Sequence, residues 1–286
     1  MRFAALLILL STACAQTPQK PMSREILTLP PPPFDHRIAY GSGEFHFGHL
    51  RLPKRPGPHP VAIVIHGGFW RAAYDLHYAG HMAASLTQAG FATWNIEYRR
   101  IGHEGGGYPG TLDDVAAAAG HLRVIAATHN LDLDHVIAIG HSAGGHLALW
   151  LATRKDVLRL QGVISLAGVA DLRSAWEKNL GNGVTEELMG GTPEDRALQY
   201  LAASPAEQLP LRVPLRLIHG TRDTTVPIAI AEEFARRAKA KGDDAKVIPL
   251  DGAGHFELVD PRTQEWQSVL KTALSLVPQL SSGSTR

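Results

Sequence analysis

The apolar positions along this chain fall into two alternating patterns. "VAIVI" (61–65) is an unbroken apolar run rich in β-branched residues, the mark of a strand buried on both faces. Residues 75–89 then set Leu76, Ala79, Ala83 and Leu86 on one helical stripe. "FATWNIEY" (91–98) predicts a strand, and alanine-rich Thr111 to Thr128 a helix. The alternation continues with strand "HVIAIG" (135–140), helix Ser142–Thr153 and strand "GVISLAG" (162–168). It closes with strand "LRLIHG" (215–220), a helix over Ile228–Lys241, strand "AKVIPL" (245–250) and a helix over Thr263–Leu276. Strands alternating with helices predict an α/β fold: a mostly parallel central sheet with helices on both faces.

Two regions depart from this rhythm. "IAYGS" and "FHFGHLRLP" are short extended runs that predict an N-terminal hairpin. Asp171 to Gln208 carries no strand signal and is too long for an ordinary connection. It reads as a small insertion of one or two short helices (171–208), a cap over a substrate pocket. Residues 16–35 are polar and proline-rich, ending in "LPPPPFD", and read as a linker. The domain is then expected over 36–278, with a flexible tail at 279–286.

Composition narrows the function classes. The chain has 286 residues, 44% of them hydrophobic and 19% charged, enough to build a core. A formal charge of +1 and the lack of a polybasic block point away from nucleic acid as a partner. "MRFAALLILLSTACAQTPQ" pairs Arg2 with a short apolar stretch, Phe3 to Leu10, and an Ala13-Cys14-Ala15 cleavage pattern. Residues 1–15 therefore read as a signal peptide, and export to the periplasm or medium is expected. Leu-Ser-Thr-Ala-Cys also resembles a lipoprotein box, with Ser11 where an aliphatic residue is usual. Lipidation of Cys14 would hold the protein at a membrane surface. Cys14 is the only cysteine, which excludes an intramolecular disulfide and a thiolate metal cluster.

The chemistry centres on "AIGHSAGGHLA" (138–148). Gly140-His141-Ser142-Ala143-Gly144 matches the G-x-S-x-G elbow, in which a serine sits on a tight strand-to-helix turn. A serine hydroxyl needs a base, and in this arrangement the acid and then the histidine follow it in the chain. Three histidines follow Ser142. His146 travels with the same helix, and His219 ends a strand ahead of the acid. His255, in the glycine-rich "DGAGHFEL", stands where the base belongs. Asp223 in "HGTRDTTVP" is the preferred acid, and Asp171 is its rival at an earlier strand end. "IHGGFWR" (65–71) offers Gly67 and Gly68 as backbone donors to an oxyanion, with Ala143 N–H as another. Phe69, Trp70 and Tyr108 are candidate pocket walls. His103-Glu104-Gly105 falls short of a zinc motif, and His77 with His81 lacks a third ligand, so no metal and no cofactor is expected.

With these residues in place the chain resembles an α/β-hydrolase over roughly residues 36–278. "HGGFW" with "GHSAGG" is similar to the esterase and lipase branch that includes kynurenine formamidase and small bacterial feruloyl or acetyl esterases. "HGTRDTTVP" and "GAGHF" also resemble the catalytic domain of prolyl oligopeptidases, though no propeller precedes them. Glu97-Tyr98-Arg99-Arg100 departs from the D-Y-R-L segment of the hormone-sensitive lipase branch. The resemblance implies a serine hydrolase that cleaves small carboxylic esters through an acyl-enzyme, using Ser142, Asp223 and His255. The alternatives are an arylformamidase or other small-amide hydrolase, and a non-catalytic binding protein on the same fold. The sequence leaves acyl length and oligomeric state open.

Overall fold

The computed structural model describes residues 24–281. The leader, Cys14 and the last five residues lie outside the described residues. The strands are β1 (His36–Ala39), β2 (Phe47–Arg51), β3 (His59–Ile65), β4 (Ala92–Ile96), β5 (Leu131–His141), β6 (Gly162–Leu166), β7 (Leu215–Gly220) and β8 (Ala245–Leu250). They form one eight-stranded sheet in the order β1-β2-β4-β3-β5-β6-β7-β8. The β1–β2 hairpin joins β4 antiparallel, and β3 to β8 run parallel to one another.

That order places the site. The chain leaves β3 for β4 on one side, then crosses back to lay β5 on the other, with Ile65 beside Gly140. The order reverses between β3 and β5, and a crevice opens at the carboxyl ends of strands at such a switch point. The loops after β3 and β5 carry His66-Gly67-Gly68 and Ser142.

Side-chain alternation along each strand divides the core in two. On β3, Val61, Ile63 and Ile65 face one core with α2 (Gly110–His129), α3 (Ala143–Leu151) and α7 (Ala229–Ala240). Ala62 and Val64 face the other, with α1 (Ala79–Gln88) and α8 (Glu265–Leu276). All seven residues of β3 are buried, as a strand covered on both faces requires. Burial of each Val or Ile there contributes about 1.5–3 kcal/mol. Among the described residues no helix is long and apolar enough to cross a membrane.

Three expectations change. The insertion holds three short helices, α4 (Leu172–Glu177), α5 (Val184–Met189) and α6 (Ala197–Ala203). Its apolar side joins the α2/α3/α7 core through Val184, Leu188 and Tyr200, and His146 Nε2–H and Trp150 Nε1–H donate to the carbonyls of Ala203 and Ala202 at 2.9 and 3.0 Å. Residues 24–35, read as linker, belong to the fold. Ile26 is fully buried in the α1/α8 core, and Arg51 donates to the carbonyls of Pro32 and Pro33 at 3.0 Å. Proline carbonyls have no ladder of their own, so a buried guanidinium fixes what composition alone reads as loose. At the other end, residues 278–281, of which 279–281 were read as tail, form a further helical turn, with Leu280 against the same core.

Candidate active site

Ser142 occupies the turn between β5 and α3 at φ 56°, ψ −118°, and is 2% exposed. A non-glycine residue at positive φ is strained, and here the elbow enforces it. Ser142 N–H donates to Leu166 O at 2.8 Å, and Ser142 O accepts from His146 N–H at 3.2 Å. The turn needs close backbones. A Cβ on Gly144 would overlap the carbonyl oxygens of Ile65 and His66, and one on Gly140 would overlap Gly144 O. Ala143 begins α3, so its N–H is among the first-turn donors that have no intrahelical partner.

Asp223 and His255 lie 32 positions apart and meet in space. His255 Nδ1–H donates to Asp223 Oδ2 at 2.6 Å. The other carboxylate oxygen accepts the N–H groups of Thr225 and Val226 at 2.8 and 3.0 Å. Burial pushes the Asp223 carboxyl up, but the hydrogen bond and charge of His255, with those two amides, outweigh it and hold the group below its ordinary value. The acid and base loops are laced together, since Arg222 N–H donates to Ala253 O at 2.9 Å. A Cβ on Gly220 would strike the carbonyl oxygens of Ala253 and Gly254, so the base loop reaches this strand end only because the residue is glycine. His219 Nε2–H donates to Val226 O at 2.8 Å and steadies the acid loop from below. Asp171, the rival acid, is engaged elsewhere: it caps α4 by accepting from Ser174 N–H at 3.1 Å and pairs with Arg237 at 2.8 Å.

The loop after β3 is held in an unusual shape. Phe69 and Trp70 both take left-handed backbone conformations, at φ 52° and 55°. The strain is tolerated because a buried clamp fixes the loop's base. His66 sets Nδ1 against Gly67 O at 2.8 Å and Nε2 against Glu97 Oε1 at 2.9 Å. Glu97 also accepts the N–H groups of Tyr98 and Leu76, and Arg100 lies 3.3 Å away. Tyr98 Oη–H donates to His66 O at 2.7 Å. The Glu-Tyr-Arg-Arg segment thus serves the loop that the HGG motif begins.

One expected donor is removed. Gly67 N–H donates to Tyr78 Oη at 2.6 Å, which leaves Gly68 and Ala143 of the three proposed oxyanion donors. Tyr78 passes the bond on. Its oxygen lies 2.9 Å from His141 Nδ1, and His141 Nε2 lies 2.9 Å from His255 O. A carbonyl can only accept, so His141 carries its proton on Nε2 and Tyr78 Oη–H donates to Nδ1. Burial, and then the neighbouring His255, push His141 well below the ordinary imidazole range and keep it neutral. An ordered relay therefore runs from Gly67 through Tyr78 and His141 to the backbone of His255.

Ser142, His255, Gly68 and Phe69 line one small cavity of about 40 Å³, together with Tyr74, Tyr78, His141, Thr225, Phe256 and Arg24. Phe69 is the one proposed wall residue found there. Trp70 is 1% exposed and donates from Nε1 to His146 Nδ1 at 3.2 Å, so it is core. Tyr108 lines a separate groove with Trp150 and Leu201. The insertion stands beside the cavity, not over it: none of the lining residues comes from 171–208. It reaches the site indirectly, since Gly181 packs close to the Phe69 ring and Glu187 pairs with Arg71 at 2.7 Å. Tyr78, Phe256 and Arg24 were not legible as site residues. Nor was His141, which the sequence shows only as the variable position of the elbow motif, with nothing to say where its ring turns.

Residues 50–237 match the BD-FAE family. Over 227 residues the chain is 28% identical to esterase LipC of Mycobacterium tuberculosis (strain ATCC 25618 / H37Rv), covering 73% of this chain and 55% of LipC. The chain spans about half the length of curated esterases of this kind that it matches. Among solved structures, a truncated carbohydrate esterase from gut microbiota superposes with a TM-score of 0.73 at 22% identity, covering 87% of this chain and 99% of that one. Thermogutta terrifontis esterase 2, solved phosphoramylated by tabun, superposes with a TM-score of 0.68 at 21% identity, covering 86% and 94%. At these identities the structural likeness speaks to the fold, an α/β sheet covered by helices. The match across about two thirds of the sequence, on a fold with its elbow serine at the switch point, establishes that this chain belongs to the BD-FAE family.

Proposed function

We propose that this chain is a serine hydrolase that cleaves small carboxylic esters through an acyl-enzyme. One observation carries the reading: Ser142, His255 and Gly68 line the same cavity, and the His255 ring is oriented by Asp223 at 2.6 Å. With Nδ1–H held by the carboxylate, Nε2 of the neutral ring is the acceptor. His255 takes the proton from Ser142 as its Oγ attacks the ester carbonyl. The N–H groups of Gly68 and Ala143 receive the developing oxyanion. The alcohol leaves with the proton from His255, and water repeats the cycle on the acyl-enzyme.

The relatives support the chemistry. The relative LipC of Mycobacterium tuberculosis is an esterase. Thermogutta terrifontis esterase 2 was solved phosphonylated by sarin and also with butyrate or propionate bound. The cavity is small, about 40 Å³, which favours short acyl groups. We also propose export, on the leader sequence alone.

The test is turnover of a short p-nitrophenyl ester and an N-formyl arylamine by wild type and Ser142→Ala, with fluorophosphonate labelling. Ester turnover and labelling, both lost in the variant, are expected. A folded wild type that neither reacts with the probe nor hydrolyses the ester would sink the reading. Faster formamide than ester turnover would replace it with an amidase.

A further inference from the structure

The segment ahead of β1 contributes to the cavity, and it brings a charge. Arg24 lines the same cavity as Ser142 and His255. Its guanidinium lies 5.4 Å from the centroid of the Phe256 ring, and Phe256 stands perpendicular to the His255 ring at 5.2 Å. The segment is held in place by the two residues that follow Arg24. Ile26 is fully buried in the α1/α8 core, and Glu25 pairs with Arg262 at 3.1 Å, turned to a partner of its own. Arg24 is therefore presented at the mouth by an anchored strap.

Arg24 is the one permanently charged side chain among the described residues that line this cavity. The carboxylate of Asp223 is buried behind His255 and already takes three hydrogen bonds. None of the described residues that line the cavity is an acid that could compete for Arg24. A guanidinium recognises a carboxylate through paired N–H donors, and the Phe256 face steadies its plane.

Resting on the serine-esterase reading above, we propose that Arg24 makes this site selective for esters that carry a carboxylate close to the scissile bond. The carboxylate can sit on the acyl side, as in a dicarboxylic half-ester, or on the leaving alcohol. The recognition chemistry is the same in both. Because Arg24 is exposed, the effect is moderate and sensitive to salt.

The experiment compares matched pairs. On the acyl side these are p-nitrophenyl hemisuccinate and p-nitrophenyl butyrate, and on the alcohol side 3-acetoxybenzoate and phenyl acetate. Each is assayed with wild type, Arg24→Gln and Arg24→Lys at low and high salt. The reading is the ratio of kcat/KM for the anionic over the neutral ester, which cancels differences in active fraction. In at least one pair this ratio should fall about 2- to 5-fold in Arg24→Gln, mainly through KM, and recover in part in Arg24→Lys. In wild type it should shrink as salt rises. Turnover with ratios identical in wild type and Arg24→Gln for both pairs overturns the proposal and leaves the esterase reading standing. Labelling of Ser142 without turnover of either anionic ester also overturns it. No turnover of any ester and no labelling overturns the esterase reading, and this inference with it.

Discussion

Tyr78 Oη–H donates to His141 Nδ1 at 2.9 Å, and through that bond the start of α1 is tied to the loop that carries the base. The two residues are 63 positions apart. The bond fixes the tautomer of His141, and His141 in turn holds the His255 carbonyl. A base at the end of a long loop keeps its place through such tethers, because a small misplacement of a reacting group costs far more rate than stability.

Tyr78→Phe removes the link and strands two groups, the N–H of Gly67 and Nδ1 of His141. Leaving buried polar groups unpaired costs about 1–3 kcal/mol. A loss of unfolding free energy of that size, read as a lowered urea midpoint, is expected, with a fall in kcat larger than any change in KM. Urea unfolding and steady-state kinetics on the same preparation check it. Wild-type kcat in the variant would show that the relay does not position the base.

Asp223→Asn tests the acid. The amide keeps the shape but no longer offers a carboxylate to His255 Nδ1–H, so the ring is free to adopt the wrong tautomer. Turnover should fall by about 10³–10⁴-fold with KM little changed. Asp171→Asn, which disturbs the α4 cap and the Arg237 pair, should lower stability modestly and leave the order of magnitude of kcat intact. A loss of similar size from both would return Asp171 to contention.

His146 gives the protein a pH-dependent joint. Burial lowers it to about 4, and both ring nitrogens are used, one accepting from Trp70 and the other donating to Ala203. The unfolded chain takes up this proton first as pH falls. Stability from the neutral ring is therefore complete above about 6.5, is lost as pH falls toward 4, and is flat below. The span amounts to roughly 3 kcal/mol. Denaturant midpoints between those limits should slope less in His146→Gln than in wild type. Parallel slopes would assign the acid lability to other groups.

Two glycines should respond in opposite directions. Gly144→Ala drives a Cβ into the carbonyl oxygens of Ile65 and His66 at the elbow, where neither backbone can retreat. A loss of about 1–3 kcal/mol or more is expected, together with most of the activity. Gly120 lies within α2, and its added Cβ meets only Val157 Cγ1 at 3.7 Å. Gly120→Ala should gain about 0.5–1 kcal/mol from helix propensity. Thermal melts of the two variants beside wild type decide both.

Much of this molecule is determined by its sequence alone, because the signals involved are local. Apolar runs such as "VAIVI" must be buried on both faces, so the parallel sheet and its element order follow from periodicity. A serine between glycines at a strand end can only be an elbow if the strand and helix are there. The order of Ser142, Asp223 and His255 then follows the topology. What the tertiary structure decided depends on groups distant in sequence meeting in space. Gly67 N–H is spent on Tyr78, so the first glycine of the motif is not an oxyanion donor. Trp70 turns inward to His146, and Tyr108 opens onto another groove. The proline-rich stretch reads as loose because proline forms no ladder, yet Ile26 and Arg51 pin it, and that packing delivers Arg24 to the mouth of the site. Periodicity reports which face of an element is buried, whereas hydrogen-bond partners and cavity walls are set by how the loops at the strand ends pack on one another.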